Sequence, residues 1–138
     1  MAGKVSTELR RLTAERAHFC CEYCLLPQDF ATHRHEPDHI VPVQHGGASE
    51  SDNLAFACFS CNRYKGPNVG SHDPLTGEFT PFFNPRTKQW RYHFRFVGAT
   101  IEGVTPEGRV TAKILRFNDD DRVAERRLLI QARLYPST

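Results

Sequence analysis

No stretch of this sequence approaches the roughly 18 consecutive apolar residues that a bilayer-spanning helix needs, so an integral membrane role is set aside. The opening residues, MAGKVSTELRRLTAERAHF, lack the apolar core of a secretory leader, and a cytoplasmic location is the expectation. There is no internal repeat and no low-complexity tail. A large charge imbalance is missing too. The formal net charge is +2, too small by itself to name a polyanionic partner.

What the chain does contain suits a small globular fold. Its 138 residues read most simply as one domain, 1–138, with 39% hydrophobic and 25% charged residues. Those are ordinary values, near the size at which a structural metal helps. Basic residues gather at Arg86, Lys88, Arg91, Arg95, Arg109, Lys113 and Arg116, opposed within that segment by Glu102 and Glu107 alone. Such an excess attracts a polyanion, or it forms a solvated mixed surface. The 5 cysteines are an odd count. In a reducing compartment, two tight Cys-x-x-Cys pairs favour metal ligation over disulfides.

Ser6 or Thr7 is placed to cap a helix through ELRRLTAERAHF, with Leu9, Leu12 and Arg16 at helical spacing. Residues 25–34 read as loop. His35 to Val41 predicts a short or edge strand, since Pro37 and Pro42 cannot donate to a ladder. Asn53 to Ala57 predicts its return partner, beyond turn chemistry at Gly46-Gly47. CFSCNRYKG, from Cys58, predicts one or two helical turns ended by Gly66-Pro67. Residues 66–89 read as irregular, pinned by Phe79, Phe82 and Phe83. The alternating run from Trp90 to Phe96 predicts a strand with its aromatic face inward, and Thr100 to Val104 predicts a second after the Gly98-Ala99 turn. Thr105-Pro106-Glu107 predicts a helix start, with Val110, Ile114 and Phe117 on one face. Asn118 to Asp121 open a last helix through RVAERRLLIQARLY, its acids at the favourable end.

The chain is organised around its cysteines. Cys21-x-x-Cys24 and Cys58-x-x-Cys61 offer four thiolates, the donor set of a closed tetrahedral zinc site. Buried free thiols and redox-active pairs are the alternatives. The connection from Cys24 to Cys58 is longer than a common zinc ribbon requires, so it carries something else. Cys20 adjoins a ligand, cannot easily share the tetrahedron, and reads as packing.

Between the two pairs lies a set suited to phosphate chemistry. Asp38 offers a carboxylate oxygen for Mg2+ or Mn2+, and His39 an imidazole able to take a proton near neutral pH. On a regular strand the two would point to opposite sides. Asn62 follows a cysteine and is held rigidly, and Lys65 shares its helical face, within reach of a phosphate. Each has a plainer reading: a turn acid, a strand histidine, a helix-surface amide, and for Asn53 a loop cap. All of them in this order, framed by cysteine pairs, favour the chemical reading.

The chain here resembles the HNH endonuclease family, of the zinc-bearing ββα-metal type. The matching residues are Cys21-Glu22-Tyr23-Cys24, Asp38-His39-Ile40-Val41-Pro42, Gly46-Gly47, Asp52-Asn53-Leu54 and Cys58-Phe59-Ser60-Cys61-Asn62-Arg63-Tyr64-Lys65-Gly66. They span a core at 20–66, followed by an extension at 67–138 whose FNPRTKQWRYHFRF and TPEGR runs look like small bacterial members. The resemblance implies a β-hairpin packed on a helix; joined to the N-terminal helix, the C-terminal hairpin and the two last helices read above, the expected fold is α+β. The resemblance also implies a structural zinc on Cys21, Cys24, Cys58 and Cys61, and a catalytic Mg2+ or Mn2+ on Asp38 and Asn62. His39 would be the general base, and Asn53 would brace the loop and orient it. The third family position is often His. Here it is Asn62, which suits a hard, oxygen-preferring ion.

Given a nuclease core, Arg63, Lys65, Arg91, His93 and Arg95 are the residues expected to meet nucleic acid. His93 is alternatively a phosphate ligand at the active site. His72-Asp73 reads as a turn more readily than as a metal pair. His33, His35 and His45 read as surface residues. The leading function is metal-dependent hydrolysis of DNA. The alternatives are a non-catalytic zinc module that binds nucleic acid or protein, and a nuclease acting on RNA or structured junctions. Double-strand cutting would need a homodimer or two visits.

Overall fold

In the computed structural model, which describes residues 4–137, a chain of short elements is built around a hairpin and helix at 36–65. Helix α1 (Thr7–Arg16) starts where the Ser6 hydroxyl accepts the Leu9 amide at 3.1 Å, the N-cap arrangement that satisfies an orphan donor. Strand β1 (Glu36–His39) and strand β2 (Leu54–Ala57) form an antiparallel pair in which Asp38 faces Ala55 and His39 faces Leu54. Helix α2 (Phe59–Lys65) follows at once, capped by the Cys58 sulfur.

The expected face of α1 is corrected. Leu12 is 44% exposed, while Thr13 and Ala14 are buried. The cause is Arg16, which donates to the Ser51 hydroxyl at 2.9 Å and to the Ser51 and Leu54 carbonyls at 3.0 and 2.8 Å. That tether sets the rotation of α1 against the entry of β2. Glu22 makes a comparable hold on the other edge of the strand. Its amide donates to the Phe56 carbonyl at 2.8 Å and its carboxylate accepts the Phe56 amide at 2.7 Å. Glu22 is also ion-paired with Arg86, whose guanidinium is pulled down to about 10 by burial and by nearby Arg16.

Residues 66–89 are not wholly irregular. Strands β3 (Gly70–His72) and β4 (Phe79–Pro81) pair in antiparallel register. Asp73 organises the turn between them: its carboxylate accepts the Leu75 amide and the Thr76 hydroxyl and is gripped by both nitrogens of the Arg109 fork at 2.9 Å. The run at 90–96 is also shorter as a strand than its alternation predicts. Trp90–Tyr92 forms a single 3-10 turn and β5 is Phe94–Val97, paired with β6 (Thr100–Gly103). The turn breaks the alternation, so Phe94 is buried while Tyr92 is 59% exposed.

Helix α3 (Pro106–Ile114) starts at Thr105, whose hydroxyl accepts the Gly108 amide at 3.1 Å. It crosses β5 and β6 so closely that a Cβ on Gly108 would stand 2.0 Å from the His93 carbonyl oxygen. Glycine is required there for contact, not for backbone freedom. Helix α4 (Asp120–Gln131) closes the chain. The core joins both halves: Cys21, Tyr23, Cys24, Ala55, Ala57, Cys58 and Cys61 pack into one buried cluster with Phe83, Phe94, Ile101, Val110, Leu115 and Phe117.

Candidate metal centre and active site

The sulfurs of Cys21, Cys24, Cys58 and Cys61 all lie within 4.8 Å of one another and are buried. Cys24 and Cys58 are 3.7 Å apart, and none of the cysteines forms a disulfide. Zinc–sulfur bonds of about 2.3 Å in a tetrahedron put sulfurs about 3.8 Å apart, so the donor set and its spacing fit a structural zinc. Backbone amides of Cys24 and Cys61 point at the first sulfur of their own pair, at 3.5 and 3.4 Å, as a one-turn knuckle does. Cys20 stands outside the cluster, half-buried, bridged to Pro27.

Directly beside this frame, Asp38, His39 and Asn62 line one open cleft of about 260 Å3 with Pro37, Pro42, Val43, Gly66 and Pro67. The strand alternation expected to separate Asp38 from His39 does not keep them apart, because His39 is the last residue of β1. Asp38 is only 5% exposed. The Tyr23 hydroxyl donates to its Oδ2 at 3.0 Å, and the Lys65 ammonium lies 3.2 Å from the same oxygen. Burial pushes the Asp38 carboxyl up, with Lys65 and Tyr23 pulling the other way, and burial together with the Asp38 charge pushes the Tyr23 hydroxyl up. Tyr23 therefore stays a donor.

His39 Nε2 is 2.9 Å from the Ser49 hydroxyl. Asn53 lies nearby and spends its amide on the loop: Oδ1 accepts the Val41 amide at 2.9 Å, and Nδ2 donates to the Val41 and Ala48 carbonyls at 3.0 and 2.9 Å. The same loop holds Gly47, where a Cβ would fall 1.7 Å from the Val41 carbonyl oxygen. Ser49, not Asn53, is the side chain bonded to the imidazole.

Two residues expected to meet nucleic acid are placed elsewhere. Lys65 is 1% exposed and its ammonium is held by Asp38 and by the His39 carbonyl at 3.0 Å. A buried ammonium with a buried counter-charge is not offered to a phosphate backbone. His93 is 9% exposed, bonded through Nδ1 to the Thr105 hydroxyl at 2.6 Å and packed on Phe83. Arg63, Arg91 and Arg95 are exposed, with Arg95 paired to Glu102 at 2.8 Å. Of the histidines expected at the surface, His35 is buried, its Nε2 2.7 Å from the Leu26 carbonyl.

Residues 21–68 match the model of the HNH endonuclease family. The matched segment is similar to an HNH domain over about a third of the chain. It covers both cysteine pairs and every residue lining the cleft. No curated protein and no solved structure matches the chain. No described helix is long and apolar enough to cross a membrane. Three contributors to this site were not legible beforehand: Ser49 on His39, Tyr23 on Asp38, and Arg122 on the cysteines. Tyr23 carried a signal, since a residue between two ligands of a knuckle is rigidly placed. Ser49 and Arg122 carried none.

Proposed function

We propose that the chain is a metal-dependent endonuclease that hydrolyses DNA phosphodiester bonds. The observation supporting this most strongly is the convergence of Asp38, His39 and Asn62 on one cleft inside the HNH domain. Asp38 Oδ1 has only a long contact, 3.5 Å from Lys65, and the Asn62 amide makes no side-chain hydrogen bond among the described residues. A carboxylate and a carboxamide among the residues lining one cleft suit a hard divalent ion such as Mg2+ or Mn2+. When bound, such an ion supplies Lewis-acid stabilisation of the scissile phosphate and the leaving oxygen.

The protein residues do the rest. Ser49 fixes the His39 ring through Nε2, so Nδ1 is the nitrogen that takes a proton from the attacking water. The water oxygen bonds to phosphorus, the bond to the 3′-oxygen breaks, and that oxygen takes a proton from solvent. Tyr23 and Lys65 keep Asp38 ionised and turned. Exposed Arg63, Arg91 and Arg95 are the proposed backbone contacts.

One observation favours a second reading, a non-catalytic zinc module that binds nucleic acid: the Asp38–Lys65 pair already neutralises a carboxylate that an ion would use. A plasmid assay separates the two. Supercoiled DNA should be nicked or cut with Mg2+ or Mn2+, spared in chelator, and spared by folded, zinc-loaded His39→Ala. Equal cutting by that variant sinks the base assignment, and binding without cutting by the wild type selects the second reading.

A further inference from the structure

Helix α4 docks in an unusual way. Its buried residues are Arg122 and Arg126, with no fully buried apolar side chain among them. Arg126 donates to the carbonyls of Ala99 at 2.8 Å and Phe117 at 2.6 Å. Arg122 donates to the carbonyls of Leu115 and Arg116 at 2.7 and 3.0 Å, and its other nitrogen reaches the cysteines, 3.2 Å from Cys61 Sγ and 3.8 Å from Cys58 Sγ. Among the described residues Arg122 makes no ion pair with a carboxylate, although Asp121 and Glu125 line the same cavity of about 270 Å3, beside Cys24 and Cys58.

A guanidinium that is 9% exposed needs a counter-charge. Four thiolates around a divalent zinc leave the centre net negative, and the nearest sulfurs belong to the second knuckle. Arg122 lies on α4, so the same contacts tie that helix to the sulfurs. We infer that Arg122 couples the two: it neutralises the loaded cysteine centre from outside the ligand set, and occupancy of that centre holds α4 on the HNH domain. The zinc is thereby a latch for the C-terminal helix as well as a strut for the knuckles. This stands whether or not the cleft cuts DNA.

The test uses the full, zinc-loaded chain and reads zinc transfer to a chromophoric chelator alongside amide hydrogen exchange in α4. Outer-sphere partners of metal ligands typically govern affinity by 10–100-fold. Arg122→Met should therefore release zinc about tenfold faster and expose α4 amides while zinc is still bound. Arg122→Lys, which keeps the charge and loses the fork, should lie nearer the wild type. Arg127→Met, an exposed position on the same helix, should change neither reading. If Arg122→Met does not fold, Cys61→His serves instead, since it keeps a ligand but removes one negative charge, and α4 should then exchange faster with zinc in place. Zinc release at the wild-type rate from Arg122→Met, or from Arg122→Lys as fast as from Arg122→Met, overturns the inference. So does undiminished α4 protection in Cys61→His.

Discussion

The Lys65 ammonium sits 3.2 Å from Asp38 Oδ2, with side chains 1% and 6% exposed, so a full ion pair is buried directly beneath the cleft. Removing one partner of such a pair strands the other charge. Lys65→Met should lose about 3–5 kcal/mol of stability, read from the urea midpoint of the zinc-loaded protein. A loss below about 1 kcal/mol would mark the pair as solvent-screened.

Ser49 gives a cleaner test of positioning. Ser49→Ala removes the hydroxyl that holds His39 Nε2 without opening a core cavity. DNA cutting should fall by about tenfold in kcat, whereas loss of the base itself costs about 100-fold or more. Zinc content should be unchanged. Equal rates for Ser49→Ala and wild type would remove the serine from the mechanism.

Asn53 supports the same loop by a different route. Asn53→Ala leaves the Val41 amide and the Val41 and Ala48 carbonyls without their partner. Because these groups are exposed and can turn to water, about 0.5–1.5 kcal/mol of stability should go with them, with zinc content intact by metal analysis.

The cysteines sort by the same measurement. The wild type should carry about one zinc per chain. Cys58→Ser should lose it and unfold. Cys20→Ser should keep it, because Cys20 lies outside the sulfur cluster. Equal zinc loss from Cys20→Ser would mean that Cys20 exchanges with Cys21 as a ligand.

Asp73 predicts an acid dependence. The Arg109 fork holds its carboxyl well below the ordinary range, so the unfolded chain takes up a proton there more readily than the folded one, and folding is helped while the carboxyl is ionised in both. That help is present above the unfolded value of about 3.9 and fades as pH falls through the lower folded value. Asp73→Asn should be less stable than wild type at pH 7, and the gap should close on acidification toward pH 3. A gap that widens in acid would contradict the depressed carboxyl.

The hairpin, the α2 turn and the cysteine frame were legible because their signals are local: Pro37 and Pro42 marking a short edge strand, Gly46-Gly47 in the connection, the Cys-x-x-Cys spacings, and Gly66-Pro67 ending α2. Thr105-Pro106 marked α3 for the same reason. What escaped was decided at long range. The Lys65 helical position gave no hint that its ammonium turns inward, since only the fold brings Asp38 and the His39 carbonyl beneath it. The Arg16 acceptors at Ser51 and Leu54 and the Arg122 contacts with Cys58 and Cys61 lie far along the chain for the same reason. The β3–β4 pair was masked by Gly, Pro and Asn, and is held by the Asp73–Arg109 contact instead of by strand-forming residues.

Glu22 stands between two cysteine ligands and holds Phe56 by both its amide and its carbonyl, and that grip has a consequence for phase. Strands β1 and β2 are each four residues long, too short to fix their own alignment by side-chain matching. A slip of one residue would turn Asp38 toward solvent and His39 toward Lys65. The knuckle thus acts as a ruler that indexes the hairpin. Damage at the cysteines would reach the cleft as a mismatch of teeth, with the wrong residue presented, before any helix has come apart.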